Sequence, residues 1–180
     1  MESNIQNMVS ELMNSWDTLN IGLNQTLYTS TKYIKQNYIL TTTTEFVWPV
    51  PSSSLITSPF GYRQAIVKNG KIISKAKNHN GIDIGVPLGK EIVSTKEGIV
   101  STAGWVSGFG NYVAINHPDG SFSEYGHCSV LTVTKGVKVN KGQTIALVGS
   151  TGNSTGPHLH FGLKINNNYV NPQDYVKYGN

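Results

Sequence analysis

The sequence is poor in cysteine and arginine and has no long apolar run. Among its 180 residues, Cys128 is the single cysteine and Arg63 the single arginine. One cysteine excludes an intrachain disulfide and a closed zinc site built from several thiolates. No uninterrupted apolar stretch approaches the roughly 20 residues that a membrane-spanning helix needs, so we predict no membrane span.

Basic charge is present, but it is not organised for nucleic acid. The net charge of +4 comes from 14 lysine and arginine residues against 10 aspartate and glutamate residues. The lysines lack the clustered arginines and interleaved aromatic side chains of a nucleic-acid groove. We therefore predict no nucleic-acid partner, and interpret the charge as a solvated basic face or as a weak preference for an anionic surface.

The first 45 residues follow a helical pattern and then become polar. Apolar side chains three and four residues apart predict an amphipathic helix over residues 2–21. They are Ile5, Met8, Val9, Leu12, Met13, Trp16 and Leu19. Gly22 is a plausible end for this helix, because glycine readily adopts the left-handed conformation found there. Residues 25–44 are rich in threonine, tyrosine and asparagine, which is typical of a spacer.

The pattern changes near Phe46 to that of a β domain. Short runs of β-branched residues with a period of two alternate with glycine, asparagine and Asp-Gly turns. This pattern predicts hairpins, one of them turning at residues 118–120, and leaves little room for helices. We therefore expect two parts: residues 1–45 as helix and spacer, and residues 46–180 as a mainly β domain with antiparallel strands.

Two short stretches bring histidines and a carboxylate together. In "PHLH", His158 and His160 are two apart, so in an extended strand both imidazoles face the same side, with Cα atoms roughly 6.5 Å apart. In "HNGID", His79 and Asp83 share a face if the chain is extended, and Gly81 leaves the space between them clear. A histidine near an aspartate is common on protein surfaces, so the second pair is weak evidence by itself.

Taken together, these residues fit a catalytic zinc site. Histidine and carboxylate ligands suit Zn²⁺, and three protein ligands with one open position are typical of catalytic rather than structural zinc. Spacing alone leaves open whether His158 or His160 binds the metal, since both face the same side.

Five sequence blocks resemble the lysostaphin-type (LytM-like) zinc endopeptidases, which cut peptidoglycan cross-bridges and stem peptides. The blocks are "SPFGYR" (58–63), "HNGID" (79–83), "EYGH" (124–127), "VNKGQTIALVGSTG" (139–152) and "TGPHLHFGL" (155–163). The resemblance covers about residues 47–176, and its specificity comes from the order and spacing of the blocks. It implies the antiparallel β-sheet groove of that family, also described as a duplicated hybrid motif.

The resemblance also implies roles for five residues. It implies one Zn²⁺ per chain, bound by His79, Asp83 and His160. It assigns His127 and His158 to catalysis, where a neutral imidazole takes a proton and the other histidine steadies the oxyanion. Activity is then expected to fall below about pH 6 as the base becomes protonated.

Other residues are assigned by position or by departure from the family pattern. Asn111, Tyr112 and Asn153 lie near the blocks and are predicted to contact substrate. The family often has an acidic residue where this chain has Gly162, and often leucine where this chain has Cys128, which we interpret as a small apolar filler.

Three further side chains receive structural interpretations. We expect Tyr62 and Arg63 to pack and form hydrogen bonds at the base of the groove. His117 matches no catalytic position and precedes a turn, so we expect it at the surface.

The resemblance implies a zinc-dependent peptidoglycan endopeptidase that acts outside the cell on the bacterial wall. The alternative is a non-catalytic lysostaphin-like scaffold or an activator of other wall hydrolases. A biotin, lipoate or phosphate carrier is disfavoured, because the His79–Asp83 block has no purpose there. Residues 1–4 lack the pattern of a secretory signal peptide. We therefore expect a virion-associated protein, such as part of a phage tail, or a fragment of a larger exported protein. Its N-terminal helix is expected to self-associate or to dock on a larger assembly.

Overall fold

The structure is a computed structural model that describes residues 10–11, 14–15, 46–74 and 76–178. The chain divides into two compact units, Met1–Thr44 and Glu45–Asn180. The helix expected over residues 2–21 lies mostly outside the described residues, as does the whole polar spacer. Four residues of this range are described, and all four are helical and exposed: Ser10, Glu11, Asn14 and Ser15.

The described part of the second unit consists of β-strands and one short 3₁₀ helix, Pro172–Asp174. In chain order the strands are β1 (Phe46–Val47), β2 (Ile56–Ser58), β3 (Gly61–Arg63), β4 (Ile66–Lys68), β5 (Lys71–Ser74), β6 (Lys77–His79), β7 (Gly81–Gly85), β8 (Glu91–Val93), β9 (Gly98–Val106), β10 (Gly110–Asn116), β11 (Phe122–Leu131), β12 (Lys138–Val139), β13 (Thr144–Val148), β14 (His158–Ile165), β15 (Asn168–Val170) and β16 (Val176–Lys177). The prediction of a mainly β domain is confirmed. Within the described ranges no helix is long and apolar enough to cross a membrane.

Ten strands form one antiparallel sheet that carries the site. Seven of them lie in the order β12-β9-β10-β11-β14-β7-β2, while β13 pairs with β11 and β8, and β15 pairs with β14. The strands β3 and β6 form a separate antiparallel pair, as do β4 and β5. The strands β1 and β16 pair in parallel, which joins the beginning and the end of the described β unit.

The neighbouring strands β7 and β14 have one apolar face and one polar face. In β14, Leu159, Phe161 and Leu163 are fully buried, and in β7 the same is true of Ile82 and Ile84. Successive side chains of a strand point to opposite faces, so the residues between these lie on the other side of the sheet. The apolar face belongs to the core, and the opposite face is left for the functional side chains.

Replacing Phe161 with alanine is expected to cost about 3–5 kcal/mol of unfolding free energy, because it removes a fully buried ring and leaves a cavity. The ring lies against Tyr125, with centroids 5.5 Å apart. Urea denaturation should show a lower midpoint with an unchanged slope. Leu88→Ala is the control, since Leu88 is 63% exposed and its truncation should change stability by less than about 0.5 kcal/mol. Equal losses in the two variants would contradict this account of the core.

Two of the structural interpretations were wrong. His117 is buried rather than at the surface, because the turn that follows folds back on it. Its Nδ1 donates to the carbonyl oxygen of Glu97 at 2.7 Å, its Nε2 lies 2.8 Å from Ser123 Oγ, and burial lowers its pKa. Tyr62 was expected to pack at the base of the groove, but it is 71% exposed.

Candidate metal centre and active site

Three donor atoms converge at one point on the polar face of the sheet. His79 Nε2 lies 3.0 Å from His160 Nδ1 and 3.1 Å from Asp83 Oδ1. The third side of this triangle, from His160 Nδ1 to Asp83 Oδ1, is 3.0 Å. The three residues form a group that could hold a metal ion. The structure therefore places Nδ1 of His160, the second histidine of the "PHLH" pair, at this point.

Strand register brings these side chains together. Asp83 of β7 pairs directly with His160 of β14, and directly paired residues of antiparallel strands share a face. On the other side of β14, Gly126 of β11 pairs with His160. A β-carbon at Gly81 would lie 2.9 Å from His160 Cε1, so the imidazole occupies space that only a glycine leaves open. His79 comes from the end of β6, two residues before β7 begins.

The donors sit in an environment that favours positive charge. Burial alone would raise the pKa of Asp83, but hydrogen bonds from His160 and His79 hold it well below its usual range. Burial alone would lower the pKa of His160, but the nearby carboxylates of Asp83 and Glu124 raise it. Both shifts have one cause, the closeness of the imidazoles to the carboxylates.

Partners outside the triangle fix two of the ligands. His79 Nδ1 lies 2.8 Å from the carbonyl oxygen of Pro59, so its N–H can donate there and leave Nε2 free to bind a metal. Arg63 donates through Nη2 to Asp83 Oδ2 at 2.8 Å, and also contacts His79 Nδ1. The expected hydrogen-bonding role of Arg63 is therefore directed at the metal-binding carboxylate.

The residues fit zinc. Two imidazole nitrogens and one carboxylate oxygen are an ordinary ligand set for Zn²⁺. Ligands about 2.0–2.1 Å from a tetrahedral zinc lie about 3.3 Å from one another, close to the triangle seen here. The arrangement resembles one face of such a tetrahedron, and among the described residues the group contains no fourth protein donor. This is the pattern of a catalytic rather than a structural site.

Two more histidines lie beside the triangle. The rings of His127 and His158 have centroids 4.6 Å apart. His127 Nδ1 lies 2.8 Å from the carbonyl oxygen of Thr151, and His158 Nδ1 lies 2.8 Å from that of Gly156. If each Nδ1 carries the proton that these carbonyls accept, each Nε2 is left with a lone pair. His158 Nε2 is 3.9 Å from Asp83 Oδ1, which places it next to the metal-binding atoms.

A β-bulge puts His127 on the polar face. Between the pairs Asn111–Cys128 and Val113–Tyr125, strand β11 contains one residue more than β10. His127 has φ +64°, a left-handed conformation that is uncommon outside glycine and marks the extra residue. Tyr125 and Cys128 consequently both lie in the core, where burial raises the pKa of the Cys128 thiol to about 12. The expectation of Cys128 as an apolar filler agrees with this position.

The three residues predicted to contact substrate lie in different surroundings. Asn153 is exposed, and its backbone N–H donates to Gly108. Asn111 is half-buried and its side-chain amide donates to the carbonyl oxygen of Ser129. Tyr112 is buried and its hydroxyl donates to Glu124, so it presents no open polar group. Substrate contact stays a prediction for all three residues.

A groove of about 380 Å³ adjoins the metal-binding group. It is lined by Thr57, Ser58, Arg63, Asp83, Thr155, Gly156, Pro157 and His158. The groove reaches both the candidate metal ligand Asp83 and one of the two additional histidines, His158.

Sequence reasoning gave no role to Glu124 or Phe109. The centroid of the Phe109 ring lies 5.1 Å from that of His160 and 6.4 Å from that of His127, so Phe109 is an apolar neighbour of both histidines. Glu124 is 3% exposed and lies in a buried strand. The available signal was a charged residue within a strand whose neighbouring positions are buried, because a buried charge needs a partner.

Residues 77–172 match the sequence pattern of peptidase family M23. This range contains all three metal-binding candidates and both additional histidines. The chain belongs to peptidase family M23. The resemblance stated from the five sequence blocks is thereby confirmed, and with it the zinc cofactor typical of these peptidases.

Two curated relatives illustrate the similarity within the M23 family. The chain is 40% identical over 117 residues to the DD-carboxypeptidase/endopeptidase Mpg of Neisseria meningitidis, covering 65% of this chain and 26% of the relative. It is 36% identical over 124 residues to the peptidoglycan DD-endopeptidase ShyA of Vibrio cholerae, covering 69% and 28%. The chain thus spans about a quarter of the length of these relatives.

Solved structures of peptidases share the fold. A zinc-containing peptidase from Vibrio cholerae superposes with a TM-score of 0.61 and 35% identity, covering 71% of this chain and 39% of that one. The catalytic domain of lysostaphin from Staphylococcus simulans superposes with a TM-score of 0.54 and 31% identity, covering 67% and 91%. The lysostaphin-like antiparallel β fold is therefore confirmed for the M23 domain.

Proposed function

We propose that this M23 domain is a zinc-dependent peptidoglycan endopeptidase that hydrolyses cross-bridge or stem-peptide amide bonds of the bacterial cell wall. The observation that carries the proposal is the convergence of His79, Asp83 and His160 beside a second pair of histidines. The names of Mpg and ShyA support a peptidoglycan substrate and cleavage of amide bonds between D-residues. Action on the wall from outside the cell follows from that substrate.

In this proposal the triangle binds the metal. His79 donates its Nε2 lone pair, His160 its Nδ1 lone pair and Asp83 its Oδ1. A bound zinc ion supplies Lewis-acid polarisation of the scissile carbonyl and makes a water molecule acidic near pH 7. Arg63 keeps the second oxygen of Asp83 occupied, so that Oδ1 stays directed at the metal position.

His127 and His158 accept the proton of the attacking water and stabilise the oxyanion that forms. Their Nδ1 atoms face backbone carbonyls, so Nε2 of a neutral ring can accept the proton of the attacking water. The same nitrogen, once protonated, can donate a hydrogen bond to the oxyanion or return the proton to the leaving amine. When one of the two rings carries a proton on Nε2 and the other does not, the first can donate a hydrogen bond and the second can accept a proton.

Digestion of purified peptidoglycans of different cross-link types tests the proposal. Fragments are identified by mass spectrometry after incubation with zinc, with a chelator, and with zinc restored. New amino termini that appear only with zinc establish an endopeptidase and name the bond. A folded, zinc-loaded protein that releases nothing from any wall would reject the proposed activity and favour the scaffold or activator alternative.

With His127 as the general base, kcat/KM is expected to decline with falling pH only below the ordinary histidine pKa of about 6.5. Burial lowers the pKa of His127; His158 and His160 lower it further, whereas the Thr151 carbonyl and Asp83 raise it. A general base works in its neutral form, so a lowered pKa keeps it active to lower pH, and activity is lost only as the pH falls through that value. Rates on a defined cross-linked peptide from about pH 4 to about pH 8, with zinc occupancy measured at each pH, check this. A decline at or above pH 6.5 with full occupancy would contradict it.

How the domain reaches the wall remains a prediction. The self-association or docking of residues 1–45, and a place in a phage tail or in a larger exported protein, concern residues that lie mostly outside the described ones. Light scattering on the chain with and without residues 1–44 measures the self-association. An unchanged monomer in both forms would reject that version.

A further inference from the structure

A buried carboxylate lies behind the proposed zinc ligand His160. Glu124 is 3% exposed and stands on β11, in direct register with Gly162 of β14. Its Oε1 lies 3.7 Å from His160 Nε2, the ring nitrogen that faces away from the metal triangle. Among the described residues, both of these buried atoms are without a hydrogen-bond partner. Two such atoms facing each other indicate an interaction that a small movement completes.

The other oxygen of Glu124 is held by two phenols. Tyr112 Oη lies 2.8 Å and Tyr169 Oη 3.1 Å from Glu124 Oε2, and both hydroxyls can donate to it. This arrangement fixes the plane of the carboxylate and leaves Oε1 directed at His160. A shift of about 1 Å brings Oε1 and Nε2 to the 2.7–2.9 Å of a charge-assisted hydrogen bond.

Gly162 makes room for this carboxylate. A β-carbon at position 162 would lie 2.6 Å from both Cγ and Oε1 of Glu124. These distances are too short for any side chain, so the position of the Glu124 side chain depends on glycine in the paired strand. The paired strands thus supply a carboxylate from β11 and an empty space from β14.

We propose that Glu124 is a positioning residue for the metal centre: it accepts a hydrogen bond from Nε2–H of His160 and so fixes the ring and the tautomer that leaves Nδ1 free to bind zinc. The inference rests on the zinc site of the proposed function. Histidine ligands of metals commonly donate their second ring N–H to a carboxylate, and the loss of that partner typically lowers metal affinity 10- to 100-fold.

Glu124→Gln tests the tautomer directly. The glutamine oxygen can still accept from Tyr112 and Tyr169, but its NH₂ group then faces His160 Nε2. That donor favours the tautomer with a lone pair on Nε2 and the proton on Nδ1, which blocks the metal-binding atom. We expect zinc affinity to fall about 10- to 100-fold, with stoichiometry still one per chain at saturation.

The measurement is competition for zinc against a chromophoric chelator, using the full chain. Glu91→Gln is the matched control, since Glu91 is exposed on β8 and loses the same charge; its zinc affinity should equal that of the unmodified chain. Gly162→Ala is a second, independent variant, because its methyl group displaces the Glu124 carboxylate without removing its charge. It should also weaken zinc binding.

Long-range proton–nitrogen NMR supplies a readout that a merely structural role would not move. Both proteins are measured without metal: the unmodified chain should show His160 protonated at Nε2, and Glu124→Gln should show protonation shifted to Nδ1. Unchanged zinc affinity in Glu124→Gln, or an unchanged His160 tautomer, would overturn the proposal. A chain that binds zinc with the expected dependence on Glu124 but releases no peptides would instead reject the proposed activity alone.

Discussion

His160→Ala is expected to lose stoichiometric zinc and peptidoglycan hydrolysis together. The variant removes the central side chain of the triangle, whose Nδ1 lies 3.0 Å from both other donor atoms. Loss of a direct ligand should weaken zinc binding by more than the 10- to 100-fold typical of an outer partner. Because no bound metal then lowers the pKa of the attacking water, activity should fall by more than about 10⁴-fold.

Zinc content after dialysis, measured by atomic absorption, and peptide release give the two readouts. Asp83→Asn should behave similarly, because it removes the one anionic ligand and the ion pair with Arg63. Circular dichroism establishes that each variant is folded. A folded His160→Ala protein that retains one zinc per chain would show that the metal is held elsewhere and would contradict the assigned triangle.

Strand periodicity made most of this site predictable. His158 and His160 share a face because residues two apart in a strand do so, and Gly81 and Asp83 of β7 follow the same rule. His79, in contrast, lies at the end of the preceding strand β6. The local pattern could not show that β7 and β14 are neighbours, since strands far apart in the sequence pair through tertiary packing. The choice of His160 over His158 as a metal ligand likewise came from the family resemblance and not from spacing.

Departures from periodicity were beyond the sequence reasoning. The alternation along β11 is interrupted at His127, where the bulge inserts an extra residue in a left-handed conformation. The spacing of three between the core residues Tyr125 and Cys128 was the available signal, because a regular strand places residues two apart on one face. His117 was misplaced for a related reason: its hydrogen-bond partners Glu97 and Ser123 come from other segments.

The position of Glu124 depends on a residue that is distant in the sequence. Its side chain occupies space that Gly162, 38 positions further along the chain, leaves open across the β11–β14 pair. A glycine and a glutamate in different sequence blocks carry no visible relation until the register is known. The geometry of a site on a β-sheet therefore depends on strand register as much as on sequence motif.

His158→Ala and His127→Ala are expected to keep zinc and lose turnover. Neither ring belongs to the triangle, yet both lie beside it, and each holds its Nδ1 against a backbone carbonyl. Removing a positioned acid or base costs about 10²- to 10⁴-fold in rate. The double variant should lose little more than the worse single one, because residues that act as a unit are not additive.

The His158→Ala and His160→Ala variants should differ in zinc affinity. His158 and His160 lie on one strand and one face, two residues apart, so a general disturbance of β14 would affect both variants alike. Zinc affinity should separate them: near that of the unmodified chain for His158→Ala and greatly weakened for His160→Ala. If His158→Ala also empties the site, His158 belongs among the ligands and the division of roles within the pair must be reversed. If zinc and turnover both survive in His127→Ala, proton transfer is carried by His158 alone.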